Sequence, residues 1–237
     1  MDKNITKARA YFYEFLAYPL FFHTSDEKFA RWREQLSYLA QNPLSEQSAE
    51  AFANLDKFSF DELVNEQNEV LFGFTNIPLS ASFYEEGRDN GAARLRVIHC
   101  LNLSPYRRDK ELCKDSEDYV GFIFLAMATF LNDEFNGAKN ISDKLFNETL
   151  NLFVDEFGSL LLAHKNANFF RSYALILKDF IELERAVLSL EAPAKPQGDS
   201  VAVAALKKEP YQSKMPTFKT KLHWEEFSPV ISHEFKD

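Results

Sequence analysis

Turn-forming residues are scarce in this chain, whose 237 residues include only seven glycines and nine prolines. Folds with many β-strands need frequent turns and runs of β-branched residues, so this composition argues against them. Phenylalanine, by contrast, occurs 24 times. We therefore expect an all-α protein, a single-domain helical bundle whose long helices pack through bulky aromatic side chains.

Chemically reactive side chains are also few. The two cysteines, Cys100 and Cys113, are too far apart for a CxxC motif and too few for a disulfide framework. The five histidines do not stand at metal-ligand spacing, and HExxH, GxSxG, P-loop and GxGxxG motifs are absent. We therefore predict no catalytic residue, no metal site and no cofactor, in a protein that is not an enzyme.

Long hydrophobic runs are missing as well. The longest, Val120–Leu131, has 12 residues, whereas a membrane-spanning helix needs about 20. The N-terminal residues 1–15 carry scattered charges and no small-residue cleavage site, unlike a secretory signal. Together with the low cysteine content, these features predict a cytoplasmic protein with no stable membrane insertion.

Basic residues are outnumbered by acidic ones, 27 to 36, which gives a formal net charge of −9. The whole acidic excess lies in residues 1–190, because residues 191–237 contain equal numbers of each sign. A negative surface disfavours nucleic acid and anionic membranes as partners. It favours a basic partner, although an acidic surface that only maintains solubility stays open as the alternative.

Apolar residues recur at helical spacing through most of residues 5–190. Ser59 and Glu62 form a capping-box pattern at the start of one helix. The helix after Ser116 is apolar almost all round, which predicts a central place in the bundle with neighbours covering every face. We predict helices over residues 5–18, 25 or 26 to 41, 45–55, 59–71, 92–101, 142–157 and 169–190, besides the one that follows Ser116.

Beyond Leu190 the composition changes to a mixture of Ala, Pro, Lys and Gly that is typical of a flexible linker. We therefore predict a helical domain over residues 1–190, and a linker and docking tail over residues 191–237. The tail is expected to dock either on its own body or on a partner. Its apolar anchors are Phe218, Leu222, Trp224, Phe227 and Ile231.

Residues 69–86, EVLFGFTNIPLSASFYEE, form a long apolar segment without a regular period. Long segments of this kind inside compact domains are usually functional or disordered, and this one is poorly suited to disorder because it is rich in Phe, Ile, Leu and Tyr. We interpret it as an ordered binding loop.

Two clusters combine acidic and aromatic side chains: residues 84–86 at the end of this loop, and residues 116–119 at the start of the central helix. If both line one groove, their carboxylates would bind an arginine and their rings would contact apolar residues beside it. This arrangement predicts a receptor for a basic-then-apolar peptide. For Glu117 and Asp118 a second interpretation stays open, in which the helix dipole alone favours acids in the first turn.

The loop also carries the pattern LF-G-x4-P-x5-YE, which resembles the signature loop of the TorD/DmsD family of redox-enzyme maturation chaperones. The residues of this pattern are Leu71, Phe72, Gly73, Pro78, Tyr84 and Glu85. A second family motif, an acidic helix start followed by an apolar helix with a methionine, is similar to Glu117, Asp118 and Met127. The resemblance spans most of residues 5–190.

Members of that family are all-helical cytoplasmic proteins that bind the twin-arginine leader of a molybdoenzyme until its molybdopterin cofactor is inserted. The resemblance implies a cytoplasmic chaperone whose partner is an exported molybdoenzyme precursor, through its signal peptide and catalytic subunit. Formate dehydrogenase and the DMSO- or TMAO-type reductases are the expected kinds of client. The residues expected to bind the peptide are Leu71, Phe72, Pro78, Tyr84, Glu85, Glu86, Asp118 and Tyr119.

Three positions depart from the family pattern. Glu86 stands where the family has a serine, Tyr119 stands where it has a histidine, and the usual second proline before Tyr84 is missing. The change at Tyr119 removes a titratable group from the expected site. The added carboxylate at Glu86 would strengthen binding to arginine.

Two alternatives stay open at this point. One is a different function, a helical adaptor or assembly protein that grips a folded partner through its C-terminal tail. The other concerns the oligomeric state, which is either a monomer or a homodimer that exchanges helices across residues 105–116.

Overall fold

The computed structural model describes residues 3–21, 23, 25–73, 76–194 and 197–208. These residues form helices joined by loops, and the β-type pairing among them is a single bridge between Ser80 and Tyr119. The predicted all-α class is therefore confirmed. The α-helices are α1 (Lys3–Ala17), α2 (Glu27–Leu39), α3 (Glu46–Leu55), α4 (Phe60–Val70), α5 (Ala81–Glu86), α6 (Ala92–Asn102), α7 (Val120–Phe135), α8 (Ser142–Leu145), α9 (Asn151–Ala163), α10 (Phe169–Leu188) and α11 (Val201–Leu206).

The core forms where α1 packs along α7, with α10 lying against α3 and α9. Aromatic side chains fill it, as the phenylalanine content predicts. Phe15 stacks on Trp32 with ring centroids 5.3 Å apart, and Phe12 stacks on Phe180 at 4.9 Å. Such pairs add to the free energy of burying their large apolar surfaces. No described helix combines the length and the apolar character that a bilayer crossing requires.

The N-termini of two helices carry capping boxes, one of which the sequence predicts. The backbone N–H of Ser59 donates to the Glu62 carboxylate at 2.8 Å, and the Glu62 N–H donates to the Ser59 hydroxyl at 3.3 Å. The capping box predicted for α4 is thus confirmed. A second box, between Ser45 and Ser48, starts α3.

The central helix α7 is largely buried, but the expectation that neighbours cover its every face is wrong along one stripe. Leu125 is 39% exposed, and Phe122 and Thr129 are only partly buried. With Ala126, these residues stand at positions i, i+3, i+4 and i+7 and therefore lie on one face of the helix. Helix α7, the most apolar of the described helices, thus leaves an apolar stripe accessible.

The start of α7 also differs from the prediction. The helix begins at Val120 with Tyr119 at its N-cap, so Glu117 and Asp118 precede the first turn. The helix dipole acts mainly within that first turn. The helix dipole therefore does not explain why acids occupy positions 117 and 118. Side-chain hydrogen bonds and ion pairs fix them instead.

The predicted binding loop is shorter than residues 69–86. Helix α4 continues to Val70, and residues 81–86 form the short helix α5, which ends at Gly87 in a left-handed conformation with φ of 67°. Glycine adopts this conformation without steric cost. Because α5 packs against α6, α9 and α11, tertiary contacts stabilise a helix that has little local signal.

The compact helical unit runs from Met1 to Leu206, beyond the boundary predicted at residue 190. It includes α11, in the segment whose composition predicts a linker. Ala202 of α11 is buried, and the helix contacts α5. The predicted tail anchors, Phe218, Leu222, Trp224, Phe227 and Ile231, lie outside the described residues.

Candidate functional site

Backbone hydrogen bonds join residues 79–81 of the predicted loop to the start of α7. The N–H of Ala81 donates to the Asp118 carbonyl at 2.8 Å, and the N–H of Val120 donates to the Leu79 carbonyl at 2.8 Å. These bonds flank the bridge between Ser80 and Tyr119. The structure therefore brings residues 79–81 of the loop to the start of α7, while residues 84–86 lie in the short helix α5.

Asp118 fixes this junction from within. Its side chain is 0% exposed and accepts hydrogen bonds from the hydroxyls of Ser80, at 2.6 Å, and Ser116. Burial by itself raises the pKa of Asp118, but these hydroxyl hydrogen bonds outweigh burial and hold the pKa below its ordinary value. Asp118 is thus an ionised internal anchor with no surface for a peptide.

Glu85 and Glu86 are paired with arginines of the same chain. They lie in the last turn of α5, where the helix dipole disfavours acids. Glu85 forms an ion pair with Arg96, and Glu86 contacts Arg88 at 2.6 Å. Glu86 also accepts a hydrogen bond from the Ala92 N–H at 2.5 Å, which lowers its pKa.

Tyr84 and Pro78 are buried and hold the loop in shape. The Tyr84 hydroxyl donates to the Pro78 carbonyl at 2.7 Å, and its ring stacks on Phe153 with centroids 5.3 Å apart. Burial raises the pKa of Tyr84 well above its ordinary value. These two residues account for the loop pattern through packing.

Leu71, Phe72 and Tyr119 line a cavity of about 480 Å³, which we call the polar cavity. Asp89 and Asp115 add exposed carboxylates to its wall. Arg94, Arg108 and Lys114 add positive charge to the same wall. Three of the eight predicted residues thus meet at one accessible site that mixes both signs of charge.

Glu117 holds two of these cations. Its carboxylate accepts a hydrogen bond from Arg94 Nε at 2.7 Å and another from Arg108 Nε at 3.0 Å. Burial alone raises the pKa of Glu117, but the hydrogen bonds from Arg94 and Arg108 keep the pKa below its ordinary value. Glu117 is therefore an ionised bridge between α6 and the loop that follows it.

A second cavity, of about 610 Å³, opens on the accessible stripe of α7, and we call it the apolar cavity. Phe122, Leu125 and Ala126 line it from α7. Its other apolar walls include Tyr18, Trp32 and Leu112. Cavities of this volume with a mainly apolar surface are typical of ligand sites, and here the lining also includes the charged residues Glu14, Lys28, Arg31, Arg107 and Asp109.

One wall of the apolar cavity contains a histidine. The His23 ring stacks on the Tyr18 ring with centroids 3.9 Å apart, and His23 Nε2 donates to the Tyr18 carbonyl at 2.6 Å. Burial lowers the pKa of His23. The neutral ring therefore extends the apolar surface of the cavity at neutral pH.

The two cavities are neighbours. Phe21 lines the apolar cavity and Tyr119 lines the polar cavity, and their ring centroids are 5.3 Å apart. Gly121 allows this contact, because a Cβ there would lie 2.9 Å from the Tyr119 ring and 3.0 Å from the Phe21 ring. The rings of Phe21 and Tyr119 thus stand between the polar cavity and the apolar cavity.

No protein-family model and no curated protein match this chain. Among the described residues, no group of three or more His, Cys, Asp or Glu side chains is arranged to hold a metal ion.

Sequence reasoning missed the apolar cavity. The spacing of Phe122, Leu125, Ala126 and Thr129 is present in the sequence, but the apolar residues around it conceal which face stays open. The other walls come from α1, α2 and the loop after α6, which only the fold brings together. Of the predicted residues, Pro78, Tyr84, Glu85, Glu86 and Asp118 do not line either cavity.

Proposed function

We propose that the protein is a cytoplasmic chaperone, not an enzyme, that binds the twin-arginine signal peptide of a molybdoenzyme precursor. The expected clients are formate dehydrogenases and reductases of the DMSO or TMAO type. The chaperone would hold the precursor until its cofactor is inserted, before export. In this proposal the apolar cavity binds the apolar part of the leader and the polar cavity binds its basic part.

The observation that carries the proposal is the accessible stripe of α7. An apolar side chain in the middle of this helix contributes no burial free energy while it faces solvent. It contributes when a partner covers it. The apolar cavity above the stripe has room for several side chains of a peptide. Helical targets commonly bind through apolar anchors laid in such a groove.

The neighbouring polar cavity supports the same assignment. A twin-arginine leader places two arginines before an apolar stretch, and the two cavities lie side by side across the partition formed by Phe21 and Tyr119. Asp89 and Asp115 present exposed carboxylates there, while the three cations of the same wall are each paired with a glutamate of the chain. Carboxylates bind arginine by charge-assisted hydrogen bonds, often in pairs.

The resemblance to the TorD/DmsD chaperones adds a third, independent support. Its loop pattern now has a structural explanation, since Tyr84 and Pro78 fix the loop that places Leu71 and Phe72 at the polar cavity. The peptide contacts proposed here differ from those implied by the resemblance. Leu71, Phe72 and Tyr119 are peptide contacts in both sets. The buried Asp118 is not a contact here and instead holds the loop in place.

The proposal is tested with a synthetic leader that contains two adjacent arginines followed by an apolar stretch of about 12 residues. Wild-type protein is expected to bind it in calorimetric titration. The Leu125→Asp variant should bind about tenfold or more weakly, because a carboxylate in the apolar cavity has to be desolvated when the peptide enters. The variant should fold normally, since Leu125 is partly exposed.

A matched control is Leu152→Asp, on the exposed face of α9 and away from both cavities. It should bind the leader as the wild type does. Equal affinity of the Leu125→Asp and Leu152→Asp variants would place the peptide elsewhere on the protein. A wild-type protein that does not bind the leader would reject the proposed function itself.

A further inference from the structure

The loop after α6 is closed by one arginine. Arg108 Nη1 donates to three backbone carbonyls further along the loop, those of Cys113 at 3.0 Å, Lys114 at 3.4 Å and Asp115 at 2.5 Å. Its Nε donates to Glu117 at 3.0 Å. The guanidinium is thus surrounded by hydrogen-bond acceptors on two sides.

This environment has the features of an arginine-binding site. The Arg108 and Glu117 side chains are each 11% exposed, so most of their surface is removed from water. Glu117 is held in place from its other side by Arg94. A planar guanidinium can reach a carboxylate and several carbonyls at once, whereas a lysine ammonium cannot reproduce that fork.

The same loop forms part of the apolar cavity. Leu112 and Cys113 line that cavity, and Leu112 is 87% exposed. Arg108 itself lines the polar cavity. The hydrogen bonds of Arg108 therefore connect the charged site with one wall of the apolar site.

We propose that Glu117 forms an arginine-binding site that the chain fills with its own Arg108, which at the same time holds the loop through the carbonyls of residues 113–115. An arginine of a client peptide exchanges for Arg108 at Glu117, and the loop over residues 109–115 is released from the mouth of the apolar cavity. This inference rests on the proposed function, because it identifies the guanidinium group as the ligand of the polar cavity.

The exchange is favoured by the similarity of the two ligands. One guanidinium replaces another, so the hydrogen bonds at Glu117 are conserved and no carboxylate is left unpaired. Arg108 competes at an effective concentration on the order of millimolar, because it is tethered to the site. It therefore lowers the apparent affinity for the client, and it restricts binding to peptides that bring an arginine.

The inference predicts that Arg108→Gln binds the twin-arginine leader about three- to tenfold more tightly than the wild type. The gain should vanish for a leader whose arginines are replaced by lysines. The matched control is Arg33→Gln, because Arg33 also contacts one carboxylate and two carbonyls, at Asp56 and Phe58, and lies away from both cavities. Arg108→Lys should also bind the leader more tightly than the wild type, with a smaller gain than Arg108→Gln. It replaces Arg108→Gln in the test if that variant does not fold.

Release of the loop is measured without any client. The alkylation rate of Cys113 is followed by mass spectrometry, with the buried Cys100 as internal reference. The rate should be higher in Arg108→Gln than in the wild type. The dipeptide amide Arg-Arg at millimolar concentration should raise it in the wild type, and Lys-Lys should not.

The outcomes separate the inference from the proposed function. If the wild type binds the leader but Arg108→Gln binds it equally or more weakly, Arg108 is only a structural clip and the chaperone proposal stands. If the wild type does not bind the leader, the chaperone proposal fails, and the dipeptide experiment decides the arginine site alone. An unchanged Cys113 rate with Arg-Arg overturns the exchange.

Discussion

Replacing Glu184 with alanine is expected to lower the free energy of unfolding by about 3–5 kcal/mol, the largest effect that we expect from a single substitution. Glu184 of α10 accepts hydrogen bonds from Arg9 Nε at 2.6 Å and Arg9 Nη2 at 3.0 Å, both on α1. The Tyr13 hydroxyl donates to the same carboxylate at 2.9 Å. Arg9 is 1% exposed and Glu184 is 0% exposed, so removing the carboxylate leaves a buried charge without its main partner.

We expect the ion pair itself to add little net stability, because taking two charges out of water offsets much of their attraction. Burial raises the pKa of Glu184, which disfavours its charged form. For Arg9, burial by itself lowers the pKa, but Glu184 outweighs burial and raises the pKa, which favours the charged form of the arginine. The triple variant Arg9→Met, Tyr13→Phe and Glu184→Leu replaces the whole network with apolar side chains. It is expected to be much closer to the wild type in stability than Glu184→Ala is.

Urea unfolding followed by circular dichroism measures both effects. The control is Glu182→Ala, an exposed position on the same helix, which should change the free energy of unfolding by no more than about 0.5 kcal/mol. If Glu184→Ala does not fold at all, the triple variant still tests the explanation. A triple variant as unstable as the single one would show that the pair is needed for more than charge balance.

Replacing Glu66 with alanine should lower the free energy of unfolding by about 3 kcal/mol. Helix α10 has no side-chain cap of its own, and Glu66 of α4 supplies one across the fold. The Glu66 carboxylate accepts hydrogen bonds from the N–H groups of Asn168 at 2.8 Å, Phe169 at 2.9 Å and Phe170 at 2.9 Å. Without it, buried donors at the start of the longest described helix lose their acceptor.

The same urea titration separates capping from general packing. Glu66→Gln keeps one acceptor oxygen but loses the charge, so about half of the loss is expected. Glu69→Ala, on the exposed face of α4, should have almost no effect. A Glu66→Ala variant as stable as Glu69→Ala would mean that water caps α10 equally well.

The parts of the fold that follow from local sequence were predictable. Ser59 and Glu62 start α4 as their spacing predicts, because a capping box needs only residues three positions apart. Helix α5 was missed because it has six residues and depends on α6, α9 and α11 for its packing. The helix predicted over 142–157 is interrupted by a π-helical turn, Phe146–Leu150, which apolar periodicity does not reveal.

In the candidate site, too, features set by nearby residues were predictable and features set by tertiary contacts were not. The sequence indicates that Glu85 and Asp118 are important, but it does not reveal their partners. Glu85 pairs with Arg96, and Asp118 accepts a hydrogen bond from the Ser80 hydroxyl, so neither carboxylate is offered to a ligand. Contacts between residues more than ten positions apart decide which acids stay accessible. The walls of the apolar cavity are likewise brought together by contacts between residues far apart in the sequence, so the sequence alone does not reveal the cavity.

The most direct test of the chaperone account is purification of the tagged full-length protein from an extract of its own cells, with captured proteins identified by mass spectrometry. The account predicts that one molybdoenzyme precursor is recovered with its leader intact. The precursor should be lost when its leader is removed, when its paired arginines become lysines, or when the bait carries Leu125→Asp. Recovery of only mature or unrelated proteins, captured equally by the wild type and by Leu125→Asp, would contradict the account.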